Sequence, residues 1–476
     1  MLAQSHCFEQ YIKSVPDHGS IVYGEYLSKL TAYPRGINLD NNNPLTNIQQ
    51  LPYDLQLERH YFTDLTIPMV EHKDSTSVMM TPTRSQPPYI EPIRNIQSVL
   101  STVTNQLNQW LTKKDEVVYD SIGFNDCDVK SICWHPKQRL LAICNRNDVV
   151  LIYSFPSNGV VSHEYKPLAL WMEFQSSVID MQWKTHNPLT LAVSCKNGII
   201  LWEIDLNDFN SLVAKNNINK MTQPSMTNAT ILNYPCFIPT TMSWRSDGLL
   251  LASGSRSLNS IVVWDVASRV PSLVPRYGGN AVVSFSPMDD LLLSASNENT
   301  RIFETSKWDY NNKQWAFNSN YISSGWTPLG DYLALASGDQ INFIQYKNKA
   351  LDTFGGNLVH VEKTTTFKIT QNGNDYHVGG HIRQIAISPD GTRMAVIFLK
   401  NRSETDNDRL IAIYRIKTHP TLIITPRGFI RKLDQSLQSI QFVPNYSKGS
   451  LLSATYVDGV VSFFPLLYTT SNQSRE

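Results

Sequence analysis

The residue types that most often carry chemistry are spread along this chain rather than gathered in motifs. A hydrolase or metalloenzyme needs a nucleophile beside a base, or metal ligands at a fixed spacing such as His-Glu-x-x-His. The sequence has neither, and it lacks a phosphate-cradling glycine loop and a Gly-x-Ser-x-Gly elbow. It therefore predicts no enzyme, and no catalytic, cofactor-binding or metal-binding residues. The histidines weighed for such roles fall in different repeats or loops: His135, His163, His186, His360, His377, His381 and His419.

The cysteines do not form a metal or disulfide framework. Zinc sites and disulfide-rich domains use closely spaced or paired cysteines. No such close pair is present here, and four of the six cysteines lie in or beside predicted strands. We expect buried free thiols in a reducing compartment, either cytosolic or nuclear. The six residues are Cys7, Cys127, Cys133, Cys144, Cys195 and Cys236.

Charge and hydropathy exclude two further classes of protein. Lys plus Arg and Asp plus Glu both total 41, so the chain lacks the basic excess of nucleic-acid-binding domains. Residues 1–14 do not read as a secretory signal, and no apolar run reaches the roughly 18 residues of a membrane span. We expect no direct contact with nucleic acid and no membrane span.

One pattern recurs seven times between Val129 and Phe464. Each repeat has an apolar strand ending in a bulky residue, a turn, a second apolar strand, and a third strand ending in an aromatic residue. Proline follows five of the bulky residues at the second position, where it ends a strand and starts a turn. These bulky residues, called the anchors below, are Trp134, Trp183, Trp244, Phe285, Trp326, Ile387 and Phe442.

The repeat length indicates the architecture. Seven repeats over the 336 residues 129–464 average 48 residues, close to the roughly 40–45 of a WD40 blade. Apolar strands with little helical periodicity agree with sheets rather than helical pairs. The sequence therefore predicts an all-β fold, a seven-bladed WD40-type β-propeller with an irregular and helical N-terminal extension.

The rest of the chain is divided around this ring. We predict an irregular arm at 1–91, an amphipathic helix at 92–114, the propeller at 115–468 and a polar tail at 469–476. Because ring closure removes exposed strand edges, residues 117–124 are expected to supply the outer strand of the last blade. The apolar face of the helix has two candidate roles, capping the propeller or docking into a groove of a partner.

Three long polar segments interrupt the repeats, at residues 205–235, 347–380 and 400–408. Loops of this length are usually disordered or used for recognition, and we expect disorder. Two dipeptides typical of WD repeats also occur, Gly380-His381 before the sixth blade and Trp264-Asp265 at the end of the third. His381 and Asp265 are expected to hold turns through hydrogen bonds rather than to act in catalysis. The sequence does not indicate which face binds a partner.

Several irregular stretches are more specific than a generic propeller. They are residues 277–279, 285–287 and 301–304, and in the last repeat 446–453, 458–459 and 465–468. With residues 129–153 and 260–266, they resemble the aladin family of WD-repeat nucleoporins over roughly residues 115–468. The resemblance implies a non-enzymatic component of the nuclear pore complex at the nuclear envelope. Its implied partners are other nucleoporins, including a transmembrane nucleoporin that recruits it to the pore membrane.

The leading hypothesis is therefore a scaffold or docking component of the nuclear pore that supports nucleocytoplasmic transport. A rigid ring would offer its faces and rim to several partners. One alternative is a substrate receptor of a cullin-type ubiquitin ligase. Such receptors usually carry arginine two positions beyond the Trp-Asp pair, whereas Val266 and Ala267 follow it here. Another is a propeller enzyme with a site in its central channel.

Overall fold

The computed structural model describes the propeller and three short pieces of the N-terminal arm. Its residues form 32 strands and one short 3-10 helix, Asn407–Arg409. No helix in this part of the chain is long and apolar enough to cross a membrane. The described ranges are 20–26, 29–34, 65–66, 129–154, 167–204, 228–296, 299–310, 322–346, 356–371, 374–400, 407–431, 435–444, 446 and 450–467.

Six four-stranded antiparallel sheets follow one another along the chain, and each is a blade. Blade 1 has β4 (Val129–Trp134), β5 (Leu140–Asn145), β6 (Val150–Ser154) and β7 (Leu168–Leu170). Blade 2 has β8 (Asp180–Trp183), β9 (Thr190–Cys195), β10 (Gly198–Glu203) and β11 (Asn228–Leu232). Blade 3 has β12 (Thr241–Trp244), β13 (Leu250–Gly254), β14 (Ser260–Asp265) and β15 (Val270–Pro275).

The second half of the ring repeats this arrangement. Blade 4 has β16 (Val282–Phe285), β17 (Leu291–Ala295), β18 (Thr300–Glu304) and β19 (Asp309–Tyr310). Blade 5 has β20 (Ile322–Trp326), β21 (Tyr332–Ser337), β22 (Gln340–Gln345) and β23 (Asn357–Lys363). A hairpin, β24 (Phe367–Gln371) with β25 (Asn374–Val378), precedes blade 6. Blade 6 has β26 (Ile382–Ile387), β27 (Arg393–Phe398), β28 (Ile411–Lys417) and β29 (Ile423–Ile430).

Blade 7 is completed by the N-terminal arm. Its own strands are β30 (Leu437–Phe442), β31 (Ser450–Tyr456) and β32 (Val460–Leu467). The free edge of β32 pairs in parallel with β1 (Ser20–Tyr26) and antiparallel with β3 (Leu65–Thr66), and β2 (Lys29–Pro34) pairs with β1.

The arm therefore differs from the predicted irregular segment. Its strand β1 contains Ile21, Val22 and Tyr23, residue types that favour extended structure. Residues 117–124, the expected closing strand, lie outside the described residues, and the partners seen on β32 come from β1 and β3. The predicted helix 92–114 and the tail 469–476 also lie outside the described residues.

The seven-bladed all-β prediction is confirmed, and each anchor is the last residue of its blade's first strand. The second strands are the most deeply buried. All residues of β5, β9, β21, β27 and β31 are buried, because neighbouring blades cover both faces of each sheet. Apolar clusters consequently span neighbouring blades, such as blades 5 and 6 or blades 7 and 1.

The long polar segments contain ordered structure. Segment 205–235 contains β11, and segment 347–380 contains β23 and the β24–β25 hairpin, so the expectation of disorder was wrong for these parts. In segment 400–408, Asn407 and Asp408 are buried at the start of the 3-10 helix. An outer strand needs apolar residues on one face only, which gives it a polar composition that resembles a loop.

Candidate interaction face

The histidines that the structure describes do not converge on one site. Among the described residues, no group of three or more His, Cys, Asp or Glu side chains is placed to hold a metal ion. His135, buried in the first turn of blade 1, accepts the N–H groups of Lys137 and Gln138 at Nδ1 (3.1 and 2.8 Å). His186 lies in the matching turn of blade 2, His360 on β23, His377 on β25, His381 before β26 and His419 after β28, whereas His163 lies outside the described residues.

The other candidate residues have structural roles. Asp265 Oδ1 accepts the N–H groups of Ser268 and Ala267, and these bonds lower its pKa, which confirms its predicted turn role. The side chain of His381 makes no hydrogen bond within the described residues, so its predicted turn role stays a prediction. Cys133, Cys144 and Cys195 are buried free thiols as expected, whereas Cys236 is exposed; Cys7 and Cys127 lie outside the described residues.

Three anchors join neighbouring blades through their indole N–H groups. Trp183 Nε1 donates to Cys133 O in blade 1, and Trp244 Nε1 donates to Gln182 O in blade 2, both at 3.0 Å. Trp134 Nε1 donates to Ser453 Oγ of blade 7 at 3.0 Å, and so crosses the closure of the ring. The sequence identified these tryptophans as bulky strand ends but gave no sign of this hydrogen bond.

Polar side chains of the inner strands add a second set of bonds between blades. Asp180 Oδ2 accepts the N–H of Met242, and burial raises the pKa of this carboxyl to about 6. Gln384 both accepts the N–H of Ile440 and donates to its carbonyl, at 3.0 and 3.1 Å. These bonds fix neighbouring blades relative to each other, which makes the ring a rigid support for its surface loops.

Because strand direction alternates within a blade, the first and third strands of the blades all end at one face of the ring. We call it the turn face, and the opposite one the connection face. Neighbouring first turns touch: Ser246 N–H donates to Asp289 Oδ1 at 2.7 Å, joining blades 3 and 4. Between blades 5 and 6, a Cβ added to Gly391 would lie 2.8 Å from Pro328 Cδ. The first turns therefore form a continuous surface.

Exposed apolar side chains concentrate on the turn face. Leu249, Met288 and Leu329 occupy the first turns of blades 3, 4 and 5 and are 58%, 55% and 52% exposed. We call these three residues the apolar row. Met288 also reaches the next turn, since a Cβ on Gly330 would lie 3.7 Å from its Cγ. Contiguous exposed apolar groups of this kind mark sites that bind other molecules.

These features define a class, the WD-type seven-bladed β-propeller. Residues 117–467 match the family model described as the aladin seven-bladed propeller. The chain is also 22% identical to aladin of Arabidopsis thaliana over 382 residues, 77% of this chain and 81% of that protein. The chain therefore belongs to the aladin family, as the resemblance predicted, a family of nucleoporin-like WD-repeat proteins of a non-catalytic, scaffold kind.

A solved structure gives one further similarity. A chain of the crystal structure of the mitotic checkpoint complex aligns with 71% of this chain and 90% of its own length. The identity is 16% and the TM-score is 0.49.

Proposed function

We propose that this protein is a non-enzymatic scaffold or docking component of the nuclear pore complex at the nuclear envelope, and that it supports nucleocytoplasmic transport. The observation that carries the proposal is the match of residues 117–467 to the aladin propeller. Its partners would be other nucleoporins, including a transmembrane nucleoporin that holds it at the pore membrane.

The geometry suits such a role. Indole and side-chain hydrogen bonds tie neighbouring blades together, as between Trp183 and Cys133, and the ring is fastened by β1 and β3 on β32. A ring held in this way offers its turns in fixed positions, so a partner need not order them on binding. The exposed apolar row supplies a surface that a partner would remove from water.

The proposal is tested with the full chain carrying a fluorescent tag, imaged in living cells and then purified under mild detergent. We expect a punctate nuclear rim and a transmembrane nucleoporin among the co-purified proteins. The double variant M288D/L329D should lose both, because it places charge on the apolar row. The matched control Y277D changes an apolar side chain that is 69% exposed on the connection face, and should behave like the unmodified chain. Diffuse signal with ubiquitin-ligase subunits would contradict the proposal and favour a substrate receptor.

A further inference from the structure

We propose that a cleft between blades 5 and 6 on the turn face binds an extended acidic segment of a protein partner, with a carboxylate side chain beside an apolar one. The proposal rests on the docking function above and assigns its site. The cleft has a volume of about 350 Å³ and is lined by the first turns of both blades and by the end of β28.

The walls of the cleft are held by hydrogen bonds within and between the blades. In blade 5, Thr327 Oγ1 accepts the N–H of Tyr332 at 3.0 Å. The Tyr332 hydroxyl donates to Thr418 O at 3.5 Å, which connects blade 5 to the third turn of blade 6. In blade 6, Ser388 Oγ accepts the N–H of Arg393 at 2.9 Å. The shape of the cleft is therefore set before any ligand arrives.

The charge available inside the cleft is positive. Arg415 is partly exposed and Lys417 is exposed, and neither side chain has a hydrogen-bond or ion-pair partner among the described residues. The lining has two acidic residues, Asp331 and Asp390, against the three cations Arg393, Arg415 and Lys417. Asp390 accepts bonds from both the N–H and the hydroxyl of Thr392, at 3.1 and 2.6 Å, and Asp331 is only 7% exposed. The lining therefore carries a net positive charge, and a carboxylate entering the cleft would meet Arg415 and Lys417, which have no partner within the described residues.

The apolar side chain of the proposed partner segment follows from what borders the cleft. Leu329 lies at its edge, and the apolar row continues from there over blade 4 to Met288. An extended chain whose carboxylate sits between Arg415 and Lys417 would lay a neighbouring apolar side chain against Leu329. Alternate residues of an extended peptide fill pockets in this way in other peptide-binding domains.

Nucleic acid fits this surface less well than a peptide. Asp289 and Asp290 lie in the first turn of blade 4, directly along the apolar row. A phosphate backbone following the row would carry its regular negative charges past both carboxylates. A peptide places its acidic residue over the cleft alone and an apolar residue over the row.

The first step of the test selects peptides on the purified full chain from a displayed library of random 12-residue peptides. The most enriched sequence is then synthesised and titrated by fluorescence polarisation. We expect enriched peptides to carry Asp or Glu beside an apolar residue. The double variant R415E/K417E should weaken binding of the synthesised peptide at least 10-fold, and L329A should weaken it about threefold to tenfold.

The matched control is R146E/K363E, which makes the same change in net charge on the connection face and should bind the peptide within twofold of the unmodified chain. Light scattering and thermal unfolding check that all variants stay folded. Four results would overturn the proposal: no acidic enrichment, a peptide affinity unchanged in R415E/K417E, competition by an oligonucleotide or by inorganic phosphate rather than peptide, or a dimer of the unmodified chain that R415E/K417E disrupts.

This test separates the cleft from the proposed function. A chain that reaches the nuclear rim but binds no acidic peptide contradicts the cleft assignment alone. A chain that binds the peptide through Arg415 and Lys417 but stays diffuse in cells contradicts the pore assignment alone.

Discussion

The two faces of the propeller use their polar and charged groups differently. On the connection face, Asp148 accepts bonds from Lys130 and from the N–H groups of Ser177 and Val178, at 2.6 to 2.9 Å. Arg276, which is 0% exposed, donates to the carbonyls of Tyr277 and Asn299 on the same face.

On the turn face, by contrast, the two cations Arg415 and Lys417 line a cleft that the apolar row borders. Arg415 and Lys417 have no polar partner within the described residues, and the apolar row is more than half exposed. The connection face therefore uses these charged groups to hold blades together. The turn face also has hydrogen bonds between blades, but in addition it groups cations beside exposed apolar side chains that suit a partner.

The largest effect should come from breaking the connection face. Replacing Arg276 by methionine leaves the buried or partly buried carbonyls of Tyr277, Gly279 and Asn299 without their donor, at a cost of about 1–3 kcal/mol for each group. We expect R276M to lose about 3–5 kcal/mol in free energy of unfolding, measured by urea denaturation. Peptide binding at the turn face of the folded fraction should be unchanged. A loss below 1 kcal/mol would show that this face is not held together as described.

Acid should lower the free energy of unfolding through His135, which lies in a turn of the turn face. Burial, and secondly the charge of Lys137, lowers the pKa of this histidine to about 4. Its folded pKa lies below its unfolded value, so its contribution to stability is complete above about pH 6.5 and is lost as the pH falls towards 4.

The measurement is urea denaturation of the unmodified chain and of H135N at several pH values. The stability of the unmodified chain relative to H135N should fall by up to about 3 kcal/mol between pH 7 and pH 4. The comparison cancels the contribution of Asp180, which both chains share. A difference that does not change with pH would contradict a buried, neutral His135.

The indole hydrogen bonds between neighbouring blades should have a smaller effect on the free energy of unfolding. Trp183 donates its indole N–H to the neighbouring blade. Trp326 Nε1, in contrast, has no partner among the described residues, and the centroids of its ring and the Tyr346 ring are 5.5 Å apart. W183F should therefore cost about 1 kcal/mol more in free energy of unfolding than W326F, since only the former leaves a buried carbonyl unpaired. Equal losses in the two thermal or urea transitions would contradict the indole bond.

The smallest effect on stability is expected on the turn face itself. M288D changes a side chain that is 55% exposed, so its free energy of unfolding should stay within about 0.5 kcal/mol of the unmodified chain. Its effect should appear instead in partner binding. A loss of several kcal/mol would mean that the apolar row stabilises the fold and is not reserved for a partner.

The sequence predicted the parts of the fold that depend on local pattern. All seven anchors end their strands, because turn-forming residues follow each of them and stop the strand. The indole bond of Trp183 could not be predicted, since its acceptor at Cys133 lies 50 residues earlier in another blade. The pairing of β1 with β32 joins opposite ends of the chain, and no local signal specifies it.

The interaction face depends even more on the closed ring. Leu249, Met288 and Leu329 stand about 40 residues apart in sequence and become one row only when the blades close side by side. Before closure, each is one apolar residue among many in the strands. Their exposure is a property of the assembled propeller, which explains why no interface residue could be predicted.

The most direct test of the central claim is in-cell photo-crosslinking from one position on each face. A photoreactive p-benzoylphenylalanine replaces Leu329 on the turn face in one chain and Tyr277 on the connection face in another. We predict crosslinks to a nucleoporin from position 329 and none from position 277. Nucleoporin crosslinks from position 277 alone would place the docking surface on the other face and contradict the account.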